Sequence, residues 1–494
     1  MLSYGELFAM AGRIALAIVD LGLVPGDRVA VLTERNAYAY AAILGALIAG
    51  CGYVPMNARY RKERNSIILR TSGARALVLD DASISLLDQL VDELPLDLAV
   101  ITPESDRGTF GSRHRVSVGD LARGSADELA QAGIPRWGEL AYLMFTSGTT
   151  GTPKGVPINS RNVLEYVSGL SAFAETGTDD RLLQLVDLTF DFSVHDLFVA
   201  WLNGASLFSV PEDGALFAPR LMAEHSITSA AMVPSTAARA VQFRVAKPGL
   251  LPHLSQTFFC GEALTTEVAQ IWQSVAPHGK IVNLYGPTEA TVALSAYVID
   301  PAAMPNMPVI PLGRPFGTQK INLFGPDQYP VEAGQTGEIV LSGSQVTDGY
   351  WNAPALNAEK FVVRDGERWY RTGDLGRWIE PHGFVFAGRA DRQLKIRGFL
   401  VELQEVEALV RRVMGRDQVA VIPWLLEQEG SAGGVVAFLL RPDVDAQAIR
   451  DECRRVAPDY LVPDRVLFVD ELPTNSNGKV DYKALMAHPQ LHDA

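Results

Sequence analysis

Short apolar runs alternate with amphipathic stretches from the start of the chain to about residue 390. DRVAVL (27–32), ARALVLDD (74–81) and SITSAAMV (226–233) have the length and composition of buried strands, and helical periodicity lies between such runs, for example at 41–49. This alternation is typical of α/β proteins with a mostly parallel sheet, because the strands of such sheets are buried on both faces. We therefore predict repeated strand–helix units over 1–390.

The pattern changes after GRADRQ (388–393). Leu403, Val406, Val410 and Val413 form one apolar helical stripe. A strand (418–422), a strand (435–440), a helix (446–456) and a strand (465–469) are then indicated. This order predicts a small α+β domain of about a hundred residues. We expect an N-terminal domain over 1–390 and a C-terminal domain over 391–494, with the boundary at Asp391.

Two stretches raise the question of a membrane segment. Residues 36–58 carry no charge, but glycines and a proline interrupt them, and the continuous apolar part is too short to span a bilayer. We predict a buried helix followed by a strand there. Near the N-terminus, Glu6, Arg13 and Asp20 recur at helical intervals, which predicts an amphipathic helix instead of a signal peptide. We therefore expect no membrane anchor.

Composition narrows the class of function. The chain has 494 residues with a formal net charge of −14, and 48% of its residues are hydrophobic, so it can form more than one sizeable core. No run of Lys or Arg is present, which argues against a nucleic-acid partner. The three cysteines are far apart, so neither a disulfide framework nor a zinc motif is indicated, and a reducing cytoplasm is the expected setting.

The segment AYLMFTSGTTGTPKGV (141–156) is the sharpest local signal. A hydrophobic strand leads into Thr, Ser and Gly residues with one lysine, Lys154. Glycines let the backbone approach an anion, and hydroxyls, amides and the lysine can bind phosphate oxygens. A Walker loop would need glycine at Pro153. A plain surface loop is the alternative, but the density of donors favours phosphate binding by Thr146, Ser147, Gly148, Thr149, Thr150 and Lys154.

Six further motifs follow in order: FDFS (190–193), NLYGPTEAT (283–291), GEIVLSG (337–343), YRTGDLGR (370–377), GRADRQLKIRG (388–398) and LPTNSNGKVD (472–481). Together they make the chain resemble the adenylate-forming (ANL) superfamily, which includes acyl-CoA synthetases, luciferases and the adenylation domains of nonribosomal peptide synthetases. The resemblance covers nearly the whole chain. It implies a large multi-layer N-terminal domain, a small mobile C-terminal domain, and ATP and Mg²⁺ as cofactors.

The resemblance gives nucleotide-binding roles to residues of these motifs. Tyr285 offers an aromatic face to adenine, Thr288 binds phosphate, and Glu289 offers a carboxylate to Mg²⁺. Asp374 is suited to accept both ribose hydroxyls, and Arg389 to support the ribose or a phosphate. Four of these residues also have a structural alternative. Tyr285 could be a core aromatic and Glu289 a surface or capping acid. Asp374 could be a turn aspartate and Arg389 a solvated arginine.

Two residues of the C-terminal region have implied roles in a two-step reaction. Lys479 would reach the substrate carboxylate and the α-phosphate, because fixed cations stabilise the negative charge that develops there. Together with Glu289 and Thr146 it forms the predicted catalytic set. Asp391 resembles the hinge residue of the family, whose rotation would withdraw Lys479 and bring 394–398 to the site for the thiol step. A surface lysine and a loop acid are the alternatives.

The FDFS segment indicates which acid is activated. In members that use amino acids, the Asp of this motif pairs with the substrate ammonium, and Asp191 matches it. The alternative is that Asp191 caps the following helix, although Ser193 could serve as that cap. Alignment by motif gives the other residues of a small apolar pocket, in which only His195 offers a hydrogen bond: Phe192, His195, Met232, Phe258, Cys260, Leu284, Val292 and Ala293.

Two local resemblances suggest the substrate. FFCGEAL (258–264) is similar to D-alanine–carrier protein ligases, and the combination of Asp191, Leu284 and Val292 to stand-alone prolyl-AMP ligases. Proline and alanine are the favoured amino acids, and a β-amino acid stays open. We expect the acyl group to pass to the phosphopantetheine thiol of a separate carrier protein. A carboxylate:CoA ligase is the nearest alternative and a non-catalytic ATP-binding module a distant one.

Overall fold

The computed structural model describes residues 2–59, 62–83, 98–102, 115–117, 126–136, 138–146, 153–389, 393–396, 399–415, 419–427, 431–440, 445–473 and 480–491. These residues form a large N-terminal domain of mostly parallel sheets and a small C-terminal domain, as predicted. Most of the predicted phosphate loop (147–152), the predicted hinge Asp391 and the predicted catalytic Lys479 lie outside the described residues.

The first sheet has seven strands and is parallel except for its last pair. Its inner strands are mostly apolar and buried on both faces, so each leaves a short, continuous apolar run in the sequence. The predicted strands at 27–32 and 74–81 belong to it. In spatial order the strands are Arg115–Ser117, Ala99–Thr102, Ala76–Leu79, Arg28–Leu32, Gly52–Met56, Leu140–Thr146 and Lys154–Asn159.

The second sheet also has seven strands, of which five are parallel and two at one edge are antiparallel. The predicted strand at 226–233 is confirmed as Ser229–Met232. In spatial order the strands are Arg314–Pro315, Ser295–Ile299, Lys280–Tyr285, Gln256–Phe259, Ser229–Met232, Arg181–Gln184 and Ser206–Ser209.

Helices pack on these sheets through their apolar faces. Helix Tyr4–Asp20 begins at Ser3, whose side chain accepts from the Glu6 N–H while Glu6 accepts from the Ser3 N–H. It packs on helix Ala37–Ile48, and Gly45 permits the close approach, since a Cβ there would lie 2.9 Å from the Ala11 carbonyl oxygen. The other helices of this domain are Lys62–Ser72, Ala126–Gln131, Ser160–Leu170, Phe192–Asn203, Ala218–Glu224, Pro234–Gln242, Thr266–Val275 and Pro354–Lys360, with 3₁₀ turns at Glu212–Phe217 and Thr288–Ala290.

The charge-free stretch at 36–58 folds as predicted, into helix Ala37–Ile48 followed by the buried strand Gly52–Met56. Among the described residues, no helix combines the length and the apolar character that crossing a bilayer requires.

A third sheet corrects the prediction of strand–helix alternation up to residue 390. Residues 320–389 form five antiparallel strands with one helix among them. The long strand Glu367–Ile379 mixes buried and partly exposed side chains, so it lacks the continuous apolar run of a parallel strand that is buried on both faces. The strands are Lys320–Phe324, Gly337–Ser342, Phe361–Arg364, Glu367–Ile379 and Gly383–Arg389.

The C-terminal domain contains every element predicted for it. It also contains a hairpin, Gln393–Ile396 with Phe399–Glu402, that the apolar pattern did not indicate. Its sheet mixes parallel and antiparallel pairs and has its own apolar core. The remaining elements are helices Leu403–Met414, Ala446–Val456 and Tyr482–Met486, strands Val419–Glu427, Ser431–Leu440 and Arg465–Val469, and 3₁₀ turns Asp459–Leu461 and Pro489–Leu491.

Candidate active site

The predicted site residues converge where parallel strands of the first two sheets end. Thr146 is the last residue of its strand, Tyr285 the last of another, and Cys260 directly follows a third. Ligands of open α/β sheets bind at the carboxyl ends of the strands, so this edge is the expected place for a site. A central cavity opens here, and its wall includes Thr146, Lys154, Asp191, Phe192, Cys260, Thr288, Glu289, Val292, Asp374 and Arg389.

A buried ion pair occupies one end of the central cavity. Arg389 donates to Asp374 Oδ1 across neighbouring strands of the third sheet, and the two side chains are 6% and 4% exposed. Arg389 also donates to the Thr372 carbonyl oxygen at 3.1 Å, and the Tyr285 hydroxyl donates to Asp374 Oδ2 at 2.7 Å. Each carboxylate oxygen has a second lone pair, so Asp374 can still accept from ribose hydroxyls.

An adjoining cavity lies beside Tyr285 and shares Cys260, Gly261 and Gly286 with the central one. Burial raises the pKa of the Tyr285 hydroxyl well above its ordinary value, and the charge of Asp374 raises it further, so the ring stays neutral. Gly286 is required by close packing, because a Cβ there would lie 2.5 Å from the Ala293 Cα. Gly261, Tyr285 and Gly286 line this adjoining cavity together, which makes it the candidate site for the adenine ring.

Three cationic side chains and one hydroxyl on the cavity wall indicate where phosphates would bind, and we call this part of the cavity the phosphate end. Thr146 Oγ1 is buried and has no hydrogen-bond partner among the described residues. Lys154 Nζ lies 5.3 Å from the centroid of the Tyr350 ring. Arg64 and Lys360 also line the central cavity. Sequence reasoning missed these two residues, because neither lies in a phosphate-binding motif and only tertiary packing brings them to the site.

Glu289, the predicted Mg²⁺ ligand, lies on the wall of the same cavity. It is buried, and the Tyr350 hydroxyl donates to its Oε1 at 2.5 Å. Tyr350 in turn hydrogen-bonds Tyr370 at 3.1 Å. Burial raises the pKa of both tyrosines well above the ordinary value, and the charge of Glu289 adds to this, so both remain neutral hydroxyls that can orient the carboxylate.

These residues fit ATP with Mg²⁺. Besides the ion-paired Arg389, the cavity wall carries three cationic side chains and a hydroxyl with no partner in the described part of the chain, which suits a triphosphate. No group of three or more His, Cys, Asp or Glu side chains that could hold a metal occurs among the described residues. Mg²⁺ bound through one or two carboxylates plus phosphate oxygens needs no such group, and Glu289 is suitably placed.

Asp191 also lies on the wall of the central cavity and is 6% exposed. It precedes helix Phe192–Asn203, but its backbone is helical (φ −62°, ψ −19°) and its side chain makes no capping hydrogen bond. Ser193 does not cap the helix either, which corrects the prediction. It lies inside the first turn, with its hydroxyl 3.5 Å from the Leu188 carbonyl oxygen, because the helix begins at Phe192, two residues earlier than a cap at Ser193 would place it.

Three buried tyrosines surround Asp191. Burial raises the pKa of Tyr53 and Tyr142 well above the ordinary value, and the charge of Asp191 raises both further. The pKa of Tyr166 is raised by burial first, then by Cys260 and Asp191. The carboxylate therefore sits in a region of low dielectric whose nearest phenols are neutral.

The predicted amino-acid pocket divides into two groups of residues. Phe192, Cys260 and Val292 lie on the wall of the central cavity with Asp191. His195 and Phe258 line a third, separate cavity instead. A hydrogen bond of 2.8 Å joins His195 Nδ1 to Tyr166. Burial lowers the pKa of His195 to about 3, so the ring is neutral. Leu284 lines the adjoining cavity, and Met232 and Ala293 are buried.

The backbone next to Asp191 is strained. Thr291 and Val292 have φ values of 55° and 71°, in the left-handed region that β-branched residues rarely adopt. Such outliers cost about 1–3 kcal/mol each and concentrate at ligand sites. The Ala293 N–H donates to the Thr291 carbonyl oxygen at 2.9 Å, and Gln345 Nε2 donates to the Ala293 carbonyl oxygen at 2.7 Å, which holds this turn in place.

The C-terminal domain completes the wall of the central cavity with Phe399 and Tyr460. Nearby, Glu405 is buried in the first turn of helix Leu403–Met414, and its Oε2 has no hydrogen-bond partner among the described residues. Burial raises the pKa of Glu405 to about 7; Glu402 raises it as well, while Arg64 and Lys154 of the large domain lower it. The interface between the domains thus contains a carboxyl group that titrates near neutrality.

Comparison with known proteins agrees with this architecture. A family model described as AMP-binding enzyme matches residues 1–351, and one described as AMP-binding enzyme C-terminal domain matches residues 405–479. One of the plipastatin synthase proteins of Bacillus subtilis is 32% identical over 502 residues, which is 100% of this chain but only 18% of that protein. The chain therefore spans less than a fifth of that relative.

Two solved structures are also similar. The adenylation domain AlmE of Vibrio cholerae, in complex with glycyl-adenosine-5'-phosphate, is 31% identical with a TM-score of 0.90, covering 100% of this chain and 93% of that one. Holo-AB3403, a four-domain nonribosomal peptide synthetase bound to AMP and glycine, is 26% identical with a TM-score of 0.67, covering 98% of this chain and 34% of that one.

Proposed function

We propose that this chain, which belongs to the AMP-binding enzyme family, activates a small amino acid with ATP and passes it to a thiol. In the first step a carboxylate oxygen attacks the α-phosphorus of ATP and the bond to pyrophosphate breaks, giving an aminoacyl-adenylate. In the second a thiol sulfur attacks the acyl carbon, AMP leaves and the thiol proton is lost to solvent. ATP and Mg²⁺ are the cofactors of adenylation domains in this family, and Mg²⁺ would neutralise phosphate charge beside Glu289.

One observation carries the proposal: a buried carboxylate and a set of phosphate-binding groups share one cavity. Asp191 lies on the wall of the central cavity together with Thr146, Lys154 and Glu289. An ammonium at Asp191 would direct the α-carboxylate of the same substrate towards the phosphate end. A plain carboxylic acid would bring no ammonium for Asp191 to attract, so this carboxylate would not help to bind it.

The pocket favours a small amino acid. Phe192, Cys260 and Val292 restrict the space next to Asp191. Sequence motifs favour proline and alanine, and two structurally similar proteins have glycine or glycyl-adenylate in their sites. We therefore propose glycine, alanine and proline as the substrate set. A β-amino acid is the alternative, since its amine could still reach Asp191.

We propose the phosphopantetheine thiol of a separate carrier protein as the acceptor and the cytoplasm as the setting. The relatives that support a carrier are parts of peptide synthases such as plipastatin synthase. Lys479 would act in the first step and Asp391 as the hinge between domains 1–390 and 391–494. These last assignments rest on the motifs alone, because both residues lie outside the described part of the chain.

Amino-acid-dependent exchange of pyrophosphate into ATP tests the first step. We expect exchange with glycine, alanine or proline, and much slower exchange with the matching des-amino acids. Transfer from the adenylate is then compared between a phosphopantetheinylated carrier protein and CoA. Exchange with propionate or longer plain acids at least as fast as with amino acids would overturn the substrate proposal, and preference for CoA would replace the carrier protein as acceptor.

A further inference from the structure

Four side chains connect the two domains at the mouth of the central cavity. The Phe399 ring lies 4.3 Å from that of Tyr460, with 6° between the ring planes, so the two are stacked. Phe399 also lies 6.3 Å from Phe190 of the large domain. On the other side, the Arg64 guanidinium lies 5.9 Å from the centroid of the Tyr460 ring. We call these four residues the interdomain stack.

The interdomain stack depends on the orientation of the small domain. Arg64 and Phe190 belong to helix Lys62–Ser72 and to the segment before helix Phe192–Asn203, whereas Phe399 and Tyr460 belong to the small domain. Any rotation of one domain on the other separates the two pairs. Phe399 begins the second strand of the hairpin whose first strand is Gln393–Ile396, so this orientation brings the hairpin to the cavity.

We propose that the interdomain stack is the latch that holds the small domain in the orientation used for thiol transfer, with Arg64 and Tyr460 as positioning residues. This rests on the proposed function, in which the segment 394–398 approaches the site for the second step. Phe399 follows that segment directly. The first step uses another orientation, so it does not require the latch.

The strength of the contact suits a reversible latch. A cation–π contact at a partly exposed site shifts an equilibrium by roughly 2- to 30-fold. That is enough to favour one orientation, and little enough to be released in each cycle. All four side chains are partly exposed, so rotation would not strand a fully buried group.

Half-reaction kinetics test the latch. Tyr460→Leu keeps an apolar side chain against the core of the small domain but removes the aromatic face, and Arg64→Gln removes the cation. We expect each to slow transfer from a preformed adenylate by roughly 2- to 30-fold, and Tyr460→Leu to slow transfer more than it slows pyrophosphate exchange. Tyr460→Phe should restore transfer. If the two residues act through one contact, the double variant should be no slower than the worse single variant.

A matched control is Tyr329→Leu, because Arg364 lies 5.4 Å over the Tyr329 ring at a site that does not line the central cavity. It should change neither half-reaction. Equal losses in both steps for Tyr460→Leu, or losses that add in the double variant, would overturn the latch.

Amide hydrogen exchange separates a wrong latch from a wrong function, since it requires no reaction. Weaker protection of Lys62–Ser72 and Phe399–Glu402 in Tyr460→Leu, but not in Tyr460→Phe, would support the interface even if no amino acid supported pyrophosphate exchange. Unchanged protection in both segments would refute the latch whatever the enzyme catalyses.

Discussion

Removing the Asp191 carboxylate should separate amino acids from plain acids as substrates. The side chain is 6% exposed, and the cavity wall around it contains Phe192, Cys260 and Val292. An ammonium entering this region leaves water and meets a low dielectric, so it needs a counter-charge. Breaking a buried pair by removing one partner costs about 3–5 kcal/mol. Asp191→Ala should therefore lower kcat/KM for the amino acid by about two to three and a half powers of ten.

The assay compares pyrophosphate exchange for matched substrate pairs: alanine with propionate, and proline with cyclopentanecarboxylate. With the des-amino acids, Asp191→Ala should lose far less or gain activity, because those substrates bring no ammonium that needs a counter-charge. Asp191→Asn keeps the size of the side chain and tests the charge alone.

Asp187→Asn is the control for a merely structural effect. Asp187 accepts hydrogen bonds from the N–H and hydroxyl of Thr189, at 2.8 and 2.6 Å, and from Asn57, so it shapes the same loop. Its replacement should affect both members of a substrate pair alike. If Asp191→Ala likewise slowed pyrophosphate exchange equally with both substrates of a pair, Asp191 would be structural and the amino-acid proposal would lose its main support.

Three further results are expected. Lys479→Ala should slow adenylate formation by about a hundredfold or more and leave transfer from a preformed adenylate intact; equal loss in both half-reactions would refute two orientations. Glu289→Gln should raise the Mg²⁺ concentration for half-maximal exchange by at least about tenfold, and Tyr350→Phe should raise it less; an unchanged titration would remove Glu289 from the metal site. Because burial raises the pKa of Glu405 to about 7, above the ordinary 4.5, its proton stabilises the folded interface fully below pH 4.5, and this contribution falls as pH rises through 7. Melting temperatures should therefore fall less in Glu405→Gln than in the unmodified chain between pH 5 and 8, and parallel curves would contradict the assignment.

Much of the fold could be predicted from the spacing of apolar residues. The inner strands of the first two sheets are buried on both faces, which leaves a continuous apolar run in the sequence. The third sheet could not be recognised in this way. Its long strand, Glu367–Ile379, contains glycines and several charged residues and leaves no continuous apolar run, so it resembles loop sequence. The hairpin Gln393–Ile396 with Phe399–Glu402 was missed because its first strand, QLKI, mixes polar and apolar residues and leaves no continuous apolar run.

Some of the site residues could likewise be predicted from the sequence, and others could not. Thr146 ends a strand and Glu289 follows one, each within a recognisable motif, so their position at one edge could be predicted; Asp374 lies inside strand Glu367–Ile379 and was recognised by its motif alone. Arg64 and Lys360 reach the cavity from helices elsewhere in the chain, and only tertiary packing reveals them. His195 was assigned to the pocket by alignment, yet the helix turns its ring to the third cavity behind Phe192.

The buried pair between Asp374 and Arg389 has a consequence for how sequences of this family diverge. Loss of either partner alone strands a charge, at about 3–5 kcal/mol, out of a total folding stability of only about 5–15 kcal/mol. Selection for a stable fold would therefore preserve both residues even in a descendant that had stopped binding nucleotides.

Their presence in a genome sequence is accordingly poor evidence of catalysis. Thr146 is a better indicator, since its hydroxyl has no hydrogen-bond partner among the described residues and so no fold-stabilising bond there to retain it. A lineage that lost the chemistry should lose that hydroxyl first and the ion pair last.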